Sequence, residues 1–427
     1  MPFVVSAAPT MLDHQNSDMG AAADAQFIER ARSNNGSAAT DHMAGPARST
    51  IQHSLHGFSD NGPMSLVGNP CPTLMRRFGR IQKQRTILIA SLVVLLVIAT
   101  SALGISLSRQ NSITAAGGNG QVIFFTNQGD SGGQTNELRI SIQNLAAPPA
   151  GYQYEAWIIN ERTESITDLG KLTEKGQSWS LTSSGAISDL LDLYDKLEIT
   201  QEQGTVQAPA GQVILSGSRH MQAFSHILHM LVTFPETPGK IGFLTGVLEQ
   251  TQLLNIQAAV LQSISASRNT TSIGCVAQSM LDIIEGTHGP HYQSLARTCI
   301  QQNITVTGDG FGLLNKGYIA GAEEHASLAL SQPDATTIMR QHADLMDLSL
   351  TNISQWVATI QQDLLNLRAH PGDLTSLSQI ATLADNALHG VDTNGDGQID
   401  PVVGEAGAIT AFQQGELMAT LTLTPAA

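Results

Sequence analysis

The chain reads as a multi-domain protein: a single transmembrane helix, an all-β sandwich, then an all-α helical bundle. Three observations predict this. An uncharged apolar run fills residues 86–107, short strand-forming runs recur from 119 to 217, and from 218 onward the apolar spacing changes to a helical period. With 427 residues there is room for two or three domains.

The run from Thr86 to Leu107 carries no charge, and about 20 such residues span a hydrocarbon core. Arg76, Arg77, Arg80, Lys83 and Arg85 precede it, while Arg109 alone stands close behind. The excess of cations on the N-terminal side places residues 1–85 in the cytoplasm and the remainder outside it, in a single-pass cell-membrane protein. Residues 1–75 are rich in Ser, Ala, Gly and Asn without sustained periodicity, the composition of a largely disordered segment. Cys71 stands alone there as a free thiol. Eight Lys/Arg against six Asp/Glu precede Ile87, which leaves 13 against 30 beyond it. So acidic an outer portion would be repelled by nucleic acid, which is excluded as a partner, and it is compatible with cations.

The strand-forming runs are 121–126, 137–143, 152–159, 178–182, 196–200 and 212–216. Leu138, Ile140 and Ile142 alternate with polar residues, as do Tyr154, Ala156 and Ile158. About seven short strands within some 100 residues fit a β-sandwich over 119–217. Tyr154 and Trp157 read as packing residues.

The succession of motifs here is specific. Gly151-Tyr-Gln-Tyr-Glu-Ala-Trp-Ile-Ile comes first, then Asp168-Leu-Gly-Lys-Leu. Tyr194-Asp-Lys-Leu-Glu-Ile-Thr-Gln-Glu and Pro209-Ala-Gly-Gln-Val-Ile-Leu-Ser-Gly217 follow. In this order they resemble the extracytoplasmic domain of anti-sigma-K factors, over about a quarter of the chain. The resemblance implies a membrane-anchored regulator with a sigma factor or other cytoplasmic partner. The N-terminal segment lacks the His-x3-Cys-x2-Cys zinc signature often found in such regulators.

From 218 to 427, helical spacing marks five to seven helices, including 224–232, 241–248, 253–264, 338–367 and 374–388. Cys275 and Cys299 fall on consecutive helices joined by a short Gly/Pro turn, and an oxidising compartment would pair them as a disulfide. Among the histidines, His226 and His229 stand at i, i+3, His288 and His291 flank the turn, and His325 and His342 lie further on. An i, i+3 pair can ligate zinc or iron, with Glu323 or Glu324 near; the same spacing is common among solvated or hydrogen-bonded histidines. Gly308-Asp-Gly-Phe-Gly312 has no following Lys-Ser/Thr and reads as a loop leading into a helix.

The sharpest motif is Asp392-Thr-Asn-Gly-Asp-Gly-Gln-Ile-Asp400. Asp392, Asn394 and Asp396 take positions 1, 3 and 5 of an EF-hand- or dockerin-like loop, with Gly397 at the sharp turn. Gln398 would offer its backbone carbonyl, and Asp400 holds position 9. Position 12 is Val403, so Glu405 is the candidate replacement for the closing carboxylate, and the expected cofactor is Ca2+. The alternative is a plain turn-rich connector.

No nucleophile–base set or cofactor loop stands out, so an enzyme is not expected. The leading expectation is an envelope sensor or regulator with a calcium-supported helical domain. Two alternatives stand beside it: a surface binding or adhesion protein whose sandwich is a spacer, and a His-based metal-binding helical protein.

Overall fold

The computed structural model describes residues 118–126, 135–184 and 190–426. The span expected over 86–107, the segment before it and Cys71 lie outside the described residues. Among those described, no helix is long and apolar enough to cross a membrane.

Nine antiparallel strands form one sheet: β1 (Asn119–Phe125), β2 (Glu137–Gln143), β3 (Tyr152–Asn160), β4 (Ser165–Lys171), β5 (Thr173–Lys175), β6 (Ser178–Ser184), β7 (Lys196–Gln203), β8 (Gln212–Ser218) and β9 (Leu421–Pro425). Their spatial order is β4-β3-β7-β8-β9-β1-β2-β6-β5. The two edge strands, β4 and β5, are separated in sequence by Leu172 alone. That residue is buried and its N–H donates to the Tyr154 carbonyl. A single bend of the chain therefore brings the edges together, and the sheet is a nearly closed barrel. Alternation does the rest: Val122 and Phe124 on β1 and Leu138, Ile140 and Ile142 on β2 all point into the core.

The expected sandwich followed by a separate bundle is thus corrected. Residues 114–427 form one compact unit. The strand between β8 and β1 is β9, which arrives only after every helix. The sheet cannot be completed within 119–217, because its central position is filled from the C-terminal end. Short alternation such as Leu421–Leu423 carries no mark of a partner some 300 residues upstream, so the sequence pattern alone made 119–217 look self-contained.

The helices are α1 (Leu190–Leu193), α2 (Met221–Leu231), α3 (Phe243–Ser265), α4 (Thr270–Glu285), α5 (Arg297–Gln301), α6 (Tyr318–Ser331), α7 (Thr337–Ala369), α8 (Leu377–His389) and α9 (Ala408–Met418). The two expected segments 241–248 and 253–264 are one continuous helix, α3. Asn269 caps α4 by accepting from Thr271 and Ser272 N–H groups, and Thr336 caps α7 by accepting from Met339 N–H. Buried Glu416 on α9 accepts hydroxyl hydrogen bonds from Thr126 and Thr135, tying that helix to the sheet.

At the sheet–helix junction, buried Arg219 meets buried Asp195 at 2.6 Å, and the guanidinium lies over the Phe224 ring of α2. The far side of the entry is held by Asp334, beyond α6: its oxygens accept the free N–H groups of Gln222 and Ala223 at the start of α2. The anionic side chain also suits the positive end of the helix dipole.

Candidate metal centre

The site lies between α2 and α6. Apolar residues Ala223, Phe224, Ile227, Met230 and Leu231 turn one face of α2 inward. His226 and His229, one helical turn apart, flank that face towards α6. Helix α6 is seated by a reciprocal fit against α3. A Cβ on Gly246 would overlap the Tyr318 ring, and one on Gly321 would overlap Phe243. Glycine at both places lets the backbones approach, so His325 comes to stack on Phe243 with ring centroids 5.1 Å apart. Phe234 packs edge-on against both His229 and His325.

In this setting three imidazoles converge. His226 Nδ1 and His229 Nδ1 lie 3.2 Å and 3.3 Å from His325 Nδ1. His226 and His325 are buried, and His229 is half-buried. Burial, then the neighbouring His229 and His226, push the His325 pKa down to about 3. The ring is therefore neutral, which is the form that binds metal.

A ring nitrogen has one in-plane site, either a proton or a lone pair. His325 Nδ1 faces the ring nitrogens of both neighbours at once. A single ion can be shared by three nitrogens placed in this way. Tetrahedral zinc at 2.0–2.1 Å from each nitrogen sets its ligand atoms about 3.3–3.4 Å apart, close to the two distances to His325 Nδ1, and all three ligand atoms lie within 4.8 Å of one another. Gln332 stands beside the cluster, with its Nε2 3.3 Å from His226 Nε2 and 3.3 Å from the Leu328 carbonyl.

Among the described residues, these three histidines are the one group of three or more His, Cys, Asp or Glu close enough to share an ion. The i, i+3 pair was visible in sequence; His325, on a helix almost 100 residues away, was one of several scattered histidines. The others go elsewhere. His291 Nδ1 binds Glu285 at 2.7 Å, His342 Nδ1 pairs with Gln414, and Glu323 and Glu324 are exposed.

The calcium-type loop occupies 391–405 on the surface. Asp392 accepts the N–H groups of Gly395 and Gly397, Asn394 accepts that of Asp396, and Asp396 accepts that of Gln398. These bonds hold the Asp392 pKa below the ordinary carboxylate range. Gly395 and Gly397 sit at φ of 78° and 86°, where a side chain would be strained. Asp400 accepts from the Asn394 amide. Glu405 is fully buried under the loop, accepting from Asp400 N–H and the Thr393 hydroxyl, whereas Val403 points to solvent. Its carboxylate does reach the loop from position 14, but the acidic groups are not gathered around one point.

Cys275 on α4 and Cys299 on α5 form the expected disulfide, with Cα atoms 5.5 Å apart. Comparison of the chain with family models, with curated proteins and with solved structures finds no match to any of them.

Proposed function

We propose that this chain is a transition-metal-binding protein whose centre is His226, His229 and His325, with zinc the favoured ion. The observation that carries the reading is the convergence of three ring nitrogens within 4.8 Å of one another, two of them 3.2 Å and 3.3 Å from His325 Nδ1. The centre cross-links α2 to α6, so occupancy would tighten these two helices against each other. That favours a binding or sensing role over turnover. The Cys275–Cys299 disulfide supports an oxidising, extracytoplasmic setting for this part of the chain.

The test is metal content after equilibration with zinc and removal of loose ions. One equivalent per chain is expected, falling to none in His325→Ala. Zinc at a thousandfold excess over its Kd should add about 4 kcal/mol to stability by mass action. Equal metal content in the wild type and His325→Ala, or none in either, would overturn the reading.

A further inference from the structure

We propose that the peptide bond between Asp400 and Pro401 is a self-cleavage site, at which the Asp400 carboxyl group cuts its own chain and leaves residues 401–427 held in the fold without a covalent link.

Of the 16 prolines in the chain, Pro401 is the one that follows an aspartate. That pairing has a chemical consequence. The prolyl nitrogen belongs to a tertiary amide, and it leaves as a basic secondary amine. The carboxyl group of the preceding residue reaches its own backbone carbonyl carbon through a five-membered ring, so nucleophile and electrophile are held together by the chain itself. The fold adds three fixtures. The Asp400 N–H donates to Glu405 Oε1 at 2.8 Å, and Asp400 Oδ2 accepts from the Asn394 amide at 3.2 Å. The Val402 N–H donates to the carbonyl oxygen of the Asp400–Pro401 bond at 2.8 Å. Negative charge develops on that oxygen during attack, and a donor already in place stabilises it. Asp400 and Pro401 are half-buried and Val402 is exposed, so water reaches the bond.

In the first step a carboxyl oxygen of Asp400 attacks the carbonyl carbon of the same residue. The C–O bond of a cyclic anhydride forms, the C–N bond to Pro401 breaks, and the carboxyl proton passes to the leaving prolyl nitrogen. One water then opens the anhydride, giving Asp400 a free α-carboxyl group and Pro401 a free amine.

The freed piece carries α9 and β9, and its contacts do not run through the cut bond. Asn352 on α7 accepts from the Gly404 N–H and donates to the Val402 and Ala406 carbonyls. Glu416 accepts from the Thr126 and Thr135 hydroxyls, and β9 lies between β8 and β1 with Leu421 and Leu423 buried. The product is a two-chain molecule whose barrel is completed by a strand of the shorter chain.

The experiment incubates the full-length chain in mildly acidic buffer, folded and in guanidinium chloride, and follows intact mass with time. In the folded chain, fragments 1–400 and 401–427 are expected, their masses summing to the intact chain plus one water. They should co-elute on native size exclusion and separate on a denaturing gel. Folding should accelerate the cut about tenfold over the denatured chain, and Asp400→Ala and Pro401→Ala should each prevent it. No cut in the folded chain, equal rates folded and denatured, or unchanged cutting in Pro401→Ala overturns the proposal. Fragments that part on native size exclusion overturn the retained two-chain product.

Discussion

Asp282 on α4 is fully buried, and its two oxygens are treated unequally. Oδ1 accepts from Gln278 Nε2 at 2.8 Å and from Gln293 N–H at 3.1 Å, while Oδ2 has no hydrogen-bond partner. Burial pushes the Asp282 pKa up, the cost of charging a desolvated carboxyl, and nearby Glu285 adds to it. Between the unfolded value and this higher folded one, the folded chain keeps a proton that the unfolded chain releases. Stability therefore falls as pH rises through that window. Asp282→Asn removes the ionisation and should raise the urea midpoint at pH 7 while flattening its slope above about pH 4. A lower midpoint at pH 7 would mean that the charge is stabilising. Glu285, one turn further on, contrasts with it: both its oxygens are used, by His291 N–H, His291 Nδ1 and the Gln361 amide. That ring is a clamp on the 286–292 turn. In the sequence His226 belongs to the i, i+3 pair and His291 to the turn; only the neighbours distinguish a clamped ring from a convergent one.

Among the elements, the loop between α8 and α9 is braced by its own hydrogen bonds. Its Asp and Asn oxygens are occupied by the loop's own N–H groups, and each carboxylate oxygen retains a further lone pair. Calcium would have to draw Asp396 and Asp400 inward to join Asp392, with Glu405 closing from beneath. If it does, millimolar calcium raises the melting temperature of the chain and Asp392→Ala abolishes the shift. No shift in the wild type marks the loop as a self-supporting turn. The motif was legible because it is local; whether its oxygens converge was not, because that depends on how Gly390 and Gly407 pack at the neck of the loop.

For the whole molecule, β9 decides cooperativity. It pairs with β1 through Gly120, Gln121 and Val122 and with β8 through Leu215 and Ser216, and its Leu421 and Leu423 are buried in the core. A chain ending at Thr420 leaves a gap in the middle of the sheet and two raw strand edges. It should lose the cooperative transition of the intact protein, and residues 114–217 alone should show no cooperative unfolding. A folded 114–217 fragment would restore the independent sandwich. The sequence by itself marked six of the strands but not β4, β5 or β9, the helical segments within 224–264 and 338–388 but not α6 or α9, the pairing of Cys275 with Cys299 and the glycine-turned acidic loop. All of these rest on periodicity or on spacings of a few residues. Only the tertiary structure decided that the strands form one barrel closed through Leu172 and completed by β9, and that His325 joins His226 and His229. Both depend on contacts between residues roughly 100 to 300 positions apart. Such contacts are selected by how whole faces pack, a property that no local pattern of residues encodes.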